Sequence, residues 1–596
     1  MIKRLSFLVV IVAILIMPTG GHSVRTETPL VKERLTGHRN LFNGDCTFLF
    51  GDNFVADPKA KYDKKTLHWF IDMLADCGVD TYLLNPNAQV PWYPSKRTPN
   101  ILTGYKRGDI EFFRRHFRPG LPKDRLEKAM AEQTVFLNRY LDLGEAGVNW
   151  IDEISKACRR RKISPWISIR MNDMHGANSW EGSYMNCALQ KDPKFRLSGR
   201  EINPKDGVNR MLQSLDYQHR EVRDYMLLMI RELIEDHDFE GLELDWLRCP
   251  FCIDPPAPAE KVALMTQWTA EIRKLTQAKA KQTGKRFPLG LRVPCRLGML
   301  KAIGLDIKAM ARAGLIDFVS FSNFWQTSWD VPFGELRREL GDRVAIYGVI
   351  EDAPNWLFAL DPKSKKKSYR LLSASPELLR GNAAGKLAMG VDGIETFNFF
   401  CTDESAHNPA ADKRQARYTA LRNLDDLSRL RGQTKHYALA TMQGLYMFPV
   451  WEMADQVPVI LEPEWRRSFR LAMAAEPKGS ELELVIQLVL EKTAKTPDLG
   501  VSFNGSWPTF AAAQTDRLLF PTGIYTHHLP EHQALNYRFK VSEIRDGWNE
   551  VLVINGSRAK GTPEERRAHS ARILSVELGV RRIEQQQPQS GREDVE

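Results

Sequence analysis

Between about residues 40 and 430, short apolar runs alternate with longer stretches in which apolar residues recur every three or four positions. Eight runs have the length and apolar continuity of buried strands: Cys46–Phe50, Thr81–Asn85, Pro165–Met171, Gly241–Leu247, Leu289–Pro294, Phe318–Asn323, Ala345–Glu351 and Gly393–Phe399. Between them, Thr66–Cys77 places Leu67, Phe70, Ile71 and Leu74 on one helical face. Leu126–Arg160, Glu221–Asp236, Lys261–Thr283 and Pro376–Met389 repeat that spacing. Three junctions, "CGVDTYLLN", "AGLIDFVSFSN" and "MGVDGIETFNF", share one design: a glycine to end the helix, an apolar residue, an acid, then a strand. Repeated βα units with near-continuous apolar strands predict a parallel sheet covered by helices. Eight such units predict a (β/α)8 barrel, the TIM fold, and no glycine-rich phosphate loop follows the first strand to favour an open dinucleotide-binding sheet.

After about Arg431 the texture changes. Ser468–Ala474, Glu481–Glu491, Leu499–Phe503, Ala534–Ile544, Trp548–Asn555 and Ala571–Arg582 read as strands in succession with little helix between them. That pattern predicts an antiparallel β-sandwich of jelly-roll type, with "FNGSWP" and "INGS" as Asn-Gly turns. The expected division is a signal peptide at 1–24, the barrel at 25–430, the sandwich at 431–582 and a polar, disordered tail at 583–596.

The signal peptide rests on Lys3 and Arg4 ahead of the apolar run Leu5–Met17, with Gly20, Gly21 and Ser23 available for cleavage. The run is short for a membrane span, and no later segment reaches about 18 uninterrupted apolar residues. A secreted or periplasmic protein, without membrane attachment after processing, is the expectation. The 43% hydrophobic and 27% charged composition is that of a globular chain. Eight cysteines are spread along it. Cys249–Cys252 has CxxC spacing but lacks a helix start to lower a thiol pKa and a second CxxC to complete a zinc site, so it reads as a local disulfide or two structural thiols. The formal net charge of +10 falls to +8 once Lys3 and Arg4 leave with the signal. Export and the absence of a basic stripe interleaved with aromatics argue against nucleic acid; the excess is either a merely basic surface or an attraction to anionic glycans.

In a (β/α)8 barrel the reacting groups gather where the strands end. The third strand ends with Arg170, Asn172, Asp173 and His175. Glu243 and Asp245 lie on the fourth, followed by Trp246 and Arg248. Arg292 is on the fifth, Asn323 and Trp325 close the sixth, Glu351 closes the seventh, and Glu395 and Asn398 lie on the eighth. Trp92, Trp329 and Trp356 fall near the same ends. Charged groups beside flat aromatic faces suit a sugar-binding cleft. Cleavage of a glycosidic bond needs two carboxyl groups across it, and Asp245 with Glu351 is the preferred pair. The apolar run before Glu351 suggests a pKa raised toward that of a general acid. Arg170, Asn172, Asp173, His175, Glu243, Trp246, Arg248, Arg292, Asn323, Trp325, Trp356 and Asn398 are the candidate substrate-binding residues. Simpler roles compete at several of them. Glu243, two residues deeper than Asp245, suits a buried ion pair with Arg170 or Arg292. Glu351 could cap the next element, Asp173 and His175 could serve only their loop, and Trp150 and Trp166 belong in the core. His527 and His528 read as turn surface, and no metal-ligand spacing appears, so neither a metal nor an organic cofactor is expected.

The stretch "EGLELDWLR" resembles strand four of secreted (β/α)8 glycoside hydrolases, and most closely the chitinase-like family 18, whose strand carries acids at alternate positions and ends in a Glu general acid. Glu243 and Asp245 match two of those positions; Leu247 stands at the last, which breaks the motif and speaks against substrate-assisted cleavage of an N-acetyl sugar. More broadly the chain resembles glycoside-hydrolase-like barrels of exported bacterial proteins followed by a β-sandwich. The segment "YRFKVSEIRDGWNEVLVING" resembles galactose-binding-like jelly rolls, which in glycosidases either bind glycan or brace the barrel. The resemblance implies an exported glycoside hydrolase acting on a polysaccharide or glycoside, with the arginines hinting at an acidic sugar. The rival expectations are a non-catalytic glycan-binding or cell-surface protein on the same barrel and, less well supported, a metal-dependent hydrolase of another bond.

Overall fold

The computed structural model describes residues 33–45, 49–50, 61–117, 119–176, 182–197, 213–247, 249–322, 327–351, 374–399, 418–439, 456–493, 496–515, 519, 532–559 and 561–583, together with the backbone of 356–360 and 367–371. Eight parallel strands close into a barrel: β1 (Asn40–Asp45), β2 (Thr81–Asn85), β3 (Ser164–Arg170), β4 (Gly241–Asp245), β5 (Leu289–Val293), β6 (Phe318–Phe321), β7 (Ala345–Glu351) and β8 (Gly393–Phe397), with β8 pairing back onto β1. Helices such as Lys64–Asp76, Arg220–Glu235, Ala259–Thr283 and Pro376–Ala388 cover the outside. The (β/α)8 architecture expected from the alternation of elements is present.

The first strand differs from its expected position. The run Cys46–Phe50 was the apolar candidate, whereas β1 is "NLFNGD". Inward positions of this strand are Leu41, Asn43 and Asp45, so polar groups point into the barrel and no apolar run marks it. Leu49 and Phe50, the described end of the expected run, pack instead on the outer shell, Phe50 stacking on Tyr140 at 3.7 Å. The expected helix Leu126–Arg160 is two helices, Lys123–Glu145 and Trp150–Arg160, parted at Gly147, whose φ of 69° needs glycine.

The recurrent acid ahead of a strand has one use throughout. Asp80 accepts from the Asn40 N–H of β1 (2.8 Å), Asp317 from the Leu289 N–H of β5 (2.8 Å), and Asp392 from the Ile346 N–H of β7 (2.8 Å). Each acid thus satisfies an orphan donor at the foot of the neighbouring strand. Arginines complete the arrangement: Arg273 and Arg286 on Asp317, Arg34 and Arg337 on Asp392.

The barrel interior is stacked in layers. At its base Leu41, Leu83, Trp166, Phe318 and Tyr347 form an apolar plug, with Trp166 and Phe318 ring centroids 5.1 Å apart. Gly241 and Gly290 make room for it, since an added Cβ would lie 2.7 Å from Trp166 and 2.3 Å from Phe318. Above the plug the interior becomes polar and then charged.

Among the described residues, Trp356–Leu360 and Lys367–Leu371 pair as a two-stranded antiparallel sheet between β7 and β8. Two larger antiparallel sheets follow the barrel in the chain. One holds Lys435–Ala438, Ala571–Arg582, Leu482–Glu491, His532–Lys540 and Ala513–Thr515 in that order, with Val459–Leu461 also on Ala571–Arg582. The other holds Arg466–Met473, Gly547–Asn555 and Leu499–Phe503. Phe503 of one meets Phe539 of the other at 5.8 Å, as in a sandwich. Asn504–Gly505 turns a hairpin with both residues at positive φ, whereas Asn555 ends its strand and spends its side chain on the Leu461 and His569 carbonyls. Helix Pro376–Ala388 joins barrel to sheets through Gly381 and Gly385, where a Cβ would collide with the His436 and Ala472 carbonyl oxygens. No helix among the described residues is long and apolar enough to cross a membrane.

Candidate active site

Three strands repeat one inward triplet, apolar or small, then polar, then charged: Leu41–Asn43–Asp45, Trp166–Ser168–Arg170 and Gly241–Glu243–Asp245. Alternate residues of a strand face one way, so each triplet climbs from the plug to the C-terminal mouth. The two acids of β4 therefore belong to different layers.

In the middle layer Glu243 Oε1 accepts from Ser168 Oγ (2.7 Å) and from Asn43 Nδ2 (2.8 Å), and Asn43 Nδ2 also reaches Glu395 Oε1 (3.0 Å). Burial, then the neighbouring Glu395 and Asp245 carboxylates, push Glu243 well above the usual carboxylate range. Burial likewise raises Glu395, against the opposing pull of Arg292. The ion pair expected for Glu243 is replaced by neutral donors; the nearest guanidinium contact in this layer is Arg292 Nε to Glu395 at 3.8 Å.

The upper layer alternates in sign around the wall. Arg170 Nη2 meets Asp45 at 2.5 Å, and its backbone is in register with Asp245 of β4. Arg292 Nη1 lies 3.1 Å from Asp245 Oδ2, and its Nη2 lies 2.5 Å from Glu351 Oε1. Beneath it the Phe397 ring sits 3.6 Å from the guanidinium carbon. Burial works against both arginines, but their carboxylate neighbours prevail and hold the guanidiniums charged above their ordinary range. Leu247 N–H fixes Asp245 (2.9 Å), and Ser322 Oγ donates to Glu351 (3.1 Å). Thr327 Oγ1 clamps the Glu351 backbone, donating to its carbonyl and accepting from its N–H. In place of the apolar surroundings expected for a general acid, Glu351 has donors directed at it.

Because the guanidinium is a rigid fork, the contacts at 3.1 and 2.5 Å put the nearest oxygens of Asp245 and Glu351 within about 8 Å of each other. Glycosidase carboxyl pairs stand about 5–9.5 Å apart. The two are 1% and 4% exposed.

On the third strand's loop, Arg170 Nη1 donates to Asp173 (3.1 Å), and Asp173 accepts from both the backbone N–H and ring Nδ1 of His175 (2.9 and 2.8 Å). Asn172 ties the loop down through the Leu215 N–H and carbonyl and the Phe251 carbonyl. Asn398, at a φ of 52°, accepts from the Asp45 N–H (2.9 Å) and locks β8 to β1. Trp246 faces away from the mouth, as strand alternation from Asp245 requires, and packs on Tyr217 and Trp268. Trp92 and Trp329 are buried too. Arg248, Asn323, Trp325, the Trp356 side chain, His527 and His528 lie outside the described residues. Cys252 is a thiol donating to the Ile303 carbonyl (2.8 Å), which leaves the second of the two readings of Cys249–Cys252. Among the described residues no cluster of three metal-ligating side chains occurs.

No protein-family model matches the chain, and no curated protein matches its sequence. Solved structures do resemble it. They include a variant GH36 alpha-galactosidase from Geobacillus stearothermophilus in complex with raffinose (10% identity, 93% of this chain, 56% of that one, TM-score 0.33). A bacterial fucosidase with a pyrrolidinyl-triazole inhibitor (11%, 94% and 98%, 0.35) and alpha-L-fucosidase isoenzyme 1 from Paenibacillus thiaminolyticus (12%, 91% and 97%, 0.33) are similar in the same degree. The chain thus spans about half the length of the first of these. The neighbours are glycoside hydrolases, but at such scores the functional reading rests on the site alone.

Proposed function

We propose that the chain is an exported glycoside hydrolase that cleaves an O-glycosidic bond with Asp245 and Glu351 as its carboxyl pair. The observation that carries this reading is their convergence, from β4 and β7, on the one guanidinium of Arg292 at the mouth of the barrel. A pair so held keeps the separation and orientation that cleavage demands, and hydrogen-bonded carboxylates suit attack on an anomeric carbon or activation of water. Arg170 and Arg292 are committed to the protein's own carboxylates, so the acidic sugar first inferred from them loses that support; an uncharged glycan fits better.

One observation favours a second reading, a glycan-binding protein without catalysis: Arg292 ties up both carboxylates in hydrogen bonds while they are almost fully buried. Reducing-end release from a panel of neutral and anionic glycans separates the two. New reducing ends support the hydrolase. Binding on a glycan array without release after prolonged incubation supports the second reading and overturns the first.

A further inference from the structure

Strands β1, β3, β4, β5 and β7 each bring a charged side chain to the upper layer: Asp45, Arg170, Asp245, Arg292 and Glu351. β8 brings an aromatic ring instead. Phe397 lies two residues beyond Glu395, so both face the barrel interior, and it is in register with Glu351 of β7. The ring is 2% exposed, yet among the described residues it joins neither the apolar plug nor the outer shell. What it meets is Arg292, whose guanidinium carbon lies over the ring, 3.6 Å from its centre. Arg292 in turn has acids in two layers. Asp245 and Glu351 of the upper layer hold its terminal nitrogens. In the middle layer Glu395 stands 3.8 Å from Nε, and Glu243 adds its field. An arginine side chain has several rotatable bonds, so charge alone does not decide which layer the fork serves. The aromatic face does, because a turn toward Glu395 would give up the stacking of the cation on the negative face of the ring.

We propose that Phe397 is a positioning residue of this site, an inference that rests on the glycosidase reading. Its ring keeps the Arg292 fork with Asp245 and Glu351 and away from Glu395, and thereby keeps the two carboxyl groups at the separation that cleavage needs. Phe397 touches neither the bond to be cleaved nor the carboxyl pair in this role; it acts through Arg292. A buried aromatic that packs on a guanidinium in place of an apolar neighbour is then explained by what the guanidinium holds.

The test uses whichever glycoside the wild type cleaves. Phe397→Leu keeps an apolar side chain and removes the aromatic face; it should lose about 10–30-fold in kcat with KM little changed. Phe397→Tyr keeps the face and should retain most of the rate. Glu395→Gln removes the competing charge and leaves an oxygen for Asn43. Added to Phe397→Leu, it should recover most of the lost rate, which a merely structural defect would not allow. No loss in Phe397→Leu, or a loss that Glu395→Gln leaves unchanged, overturns the assignment. Nitrogen-15 NMR of arginine-labelled wild type should find one protected guanidinium Nε–H shifted upfield by a ring. A spectrum without one overturns the proposal independently of activity and of how the variants fold. A wild type inactive on every glycoside overturns the glycosidase reading itself, whereas Phe397→Leu as active as an active wild type overturns only the role of Phe397.

Discussion

Arg292 stands 2.5 Å from Glu351 and holds Asp245 with its other terminal nitrogen, so a single side chain of β5 determines where both carboxylates of the proposed pair lie. Buried charges cost folding free energy unless they are paired, and here two acids depend on one base. Arg292→Met should therefore leave two uncompensated buried carboxylates and cost about 3–5 kcal/mol in urea denaturation. Hydrolysis should vanish with it. Wild-type stability in this variant would mean that the fork does not hold the pair.

The middle layer makes the protein sensitive to alkali. Glu243 has an ordinary value of 4.5 and is raised well above it, first by burial and then by Glu395. The folded form therefore holds a proton that the unfolded chain releases above about pH 4.5, and this contribution to stability is present below that value and lost as the pH rises. Glu243→Gln keeps the size and the neutral state. It should match the wild type near pH 4, exceed it near pH 8, and show the difference as a higher urea midpoint.

Lys386 has the opposite sign. Burial lowers it from 10.5 to about 7, while its Nζ donates to the Ser328 carbonyl and to Asn382. The unfolded chain takes up that proton below about pH 10.5 while the folded form resists until about 7, so stability falls as the pH falls across this window. Lys386→Met should remove the slope between pH 7 and 10.5, as followed by thermal melting. An unchanged slope would assign it to other groups.

Much of the barrel was legible because its signals are local. Gly78, Gly314 and Gly390 all take positive φ where the sequence placed a helix end, and seven strands lie where apolar runs marked them. The eighth, β1, was missed for the reason that makes it matter: Asn43 and Asp45 replace apolar residues so as to serve the charged layers. Periodicity at i, i+2 and i+4, compared across Leu41–Asp45, Trp166–Arg170 and Gly241–Asp245, is the signal that could have found it. Partners were harder. Asp45 and Arg170 are 125 positions apart, and only ring closure makes them neighbours. The same holds for Ser168 and Asn43, which take Glu243 where an arginine was expected. Trp246 shows the converse, since an aromatic next to a site acid points to the opposite side of its strand.

The claim on which the rest depends is that Asp245 and Glu351 act on one bond. It is tested most directly by the rate at which purified wild type, Asp245→Asn and Glu351→Gln release sugar from a common glycan. Each amide keeps the shape of its carboxyl and removes its charge and its capacity to attack. Both variants should remain folded and each should lose at least about a hundredfold in kcat. Wild-type turnover in either variant would contradict the account.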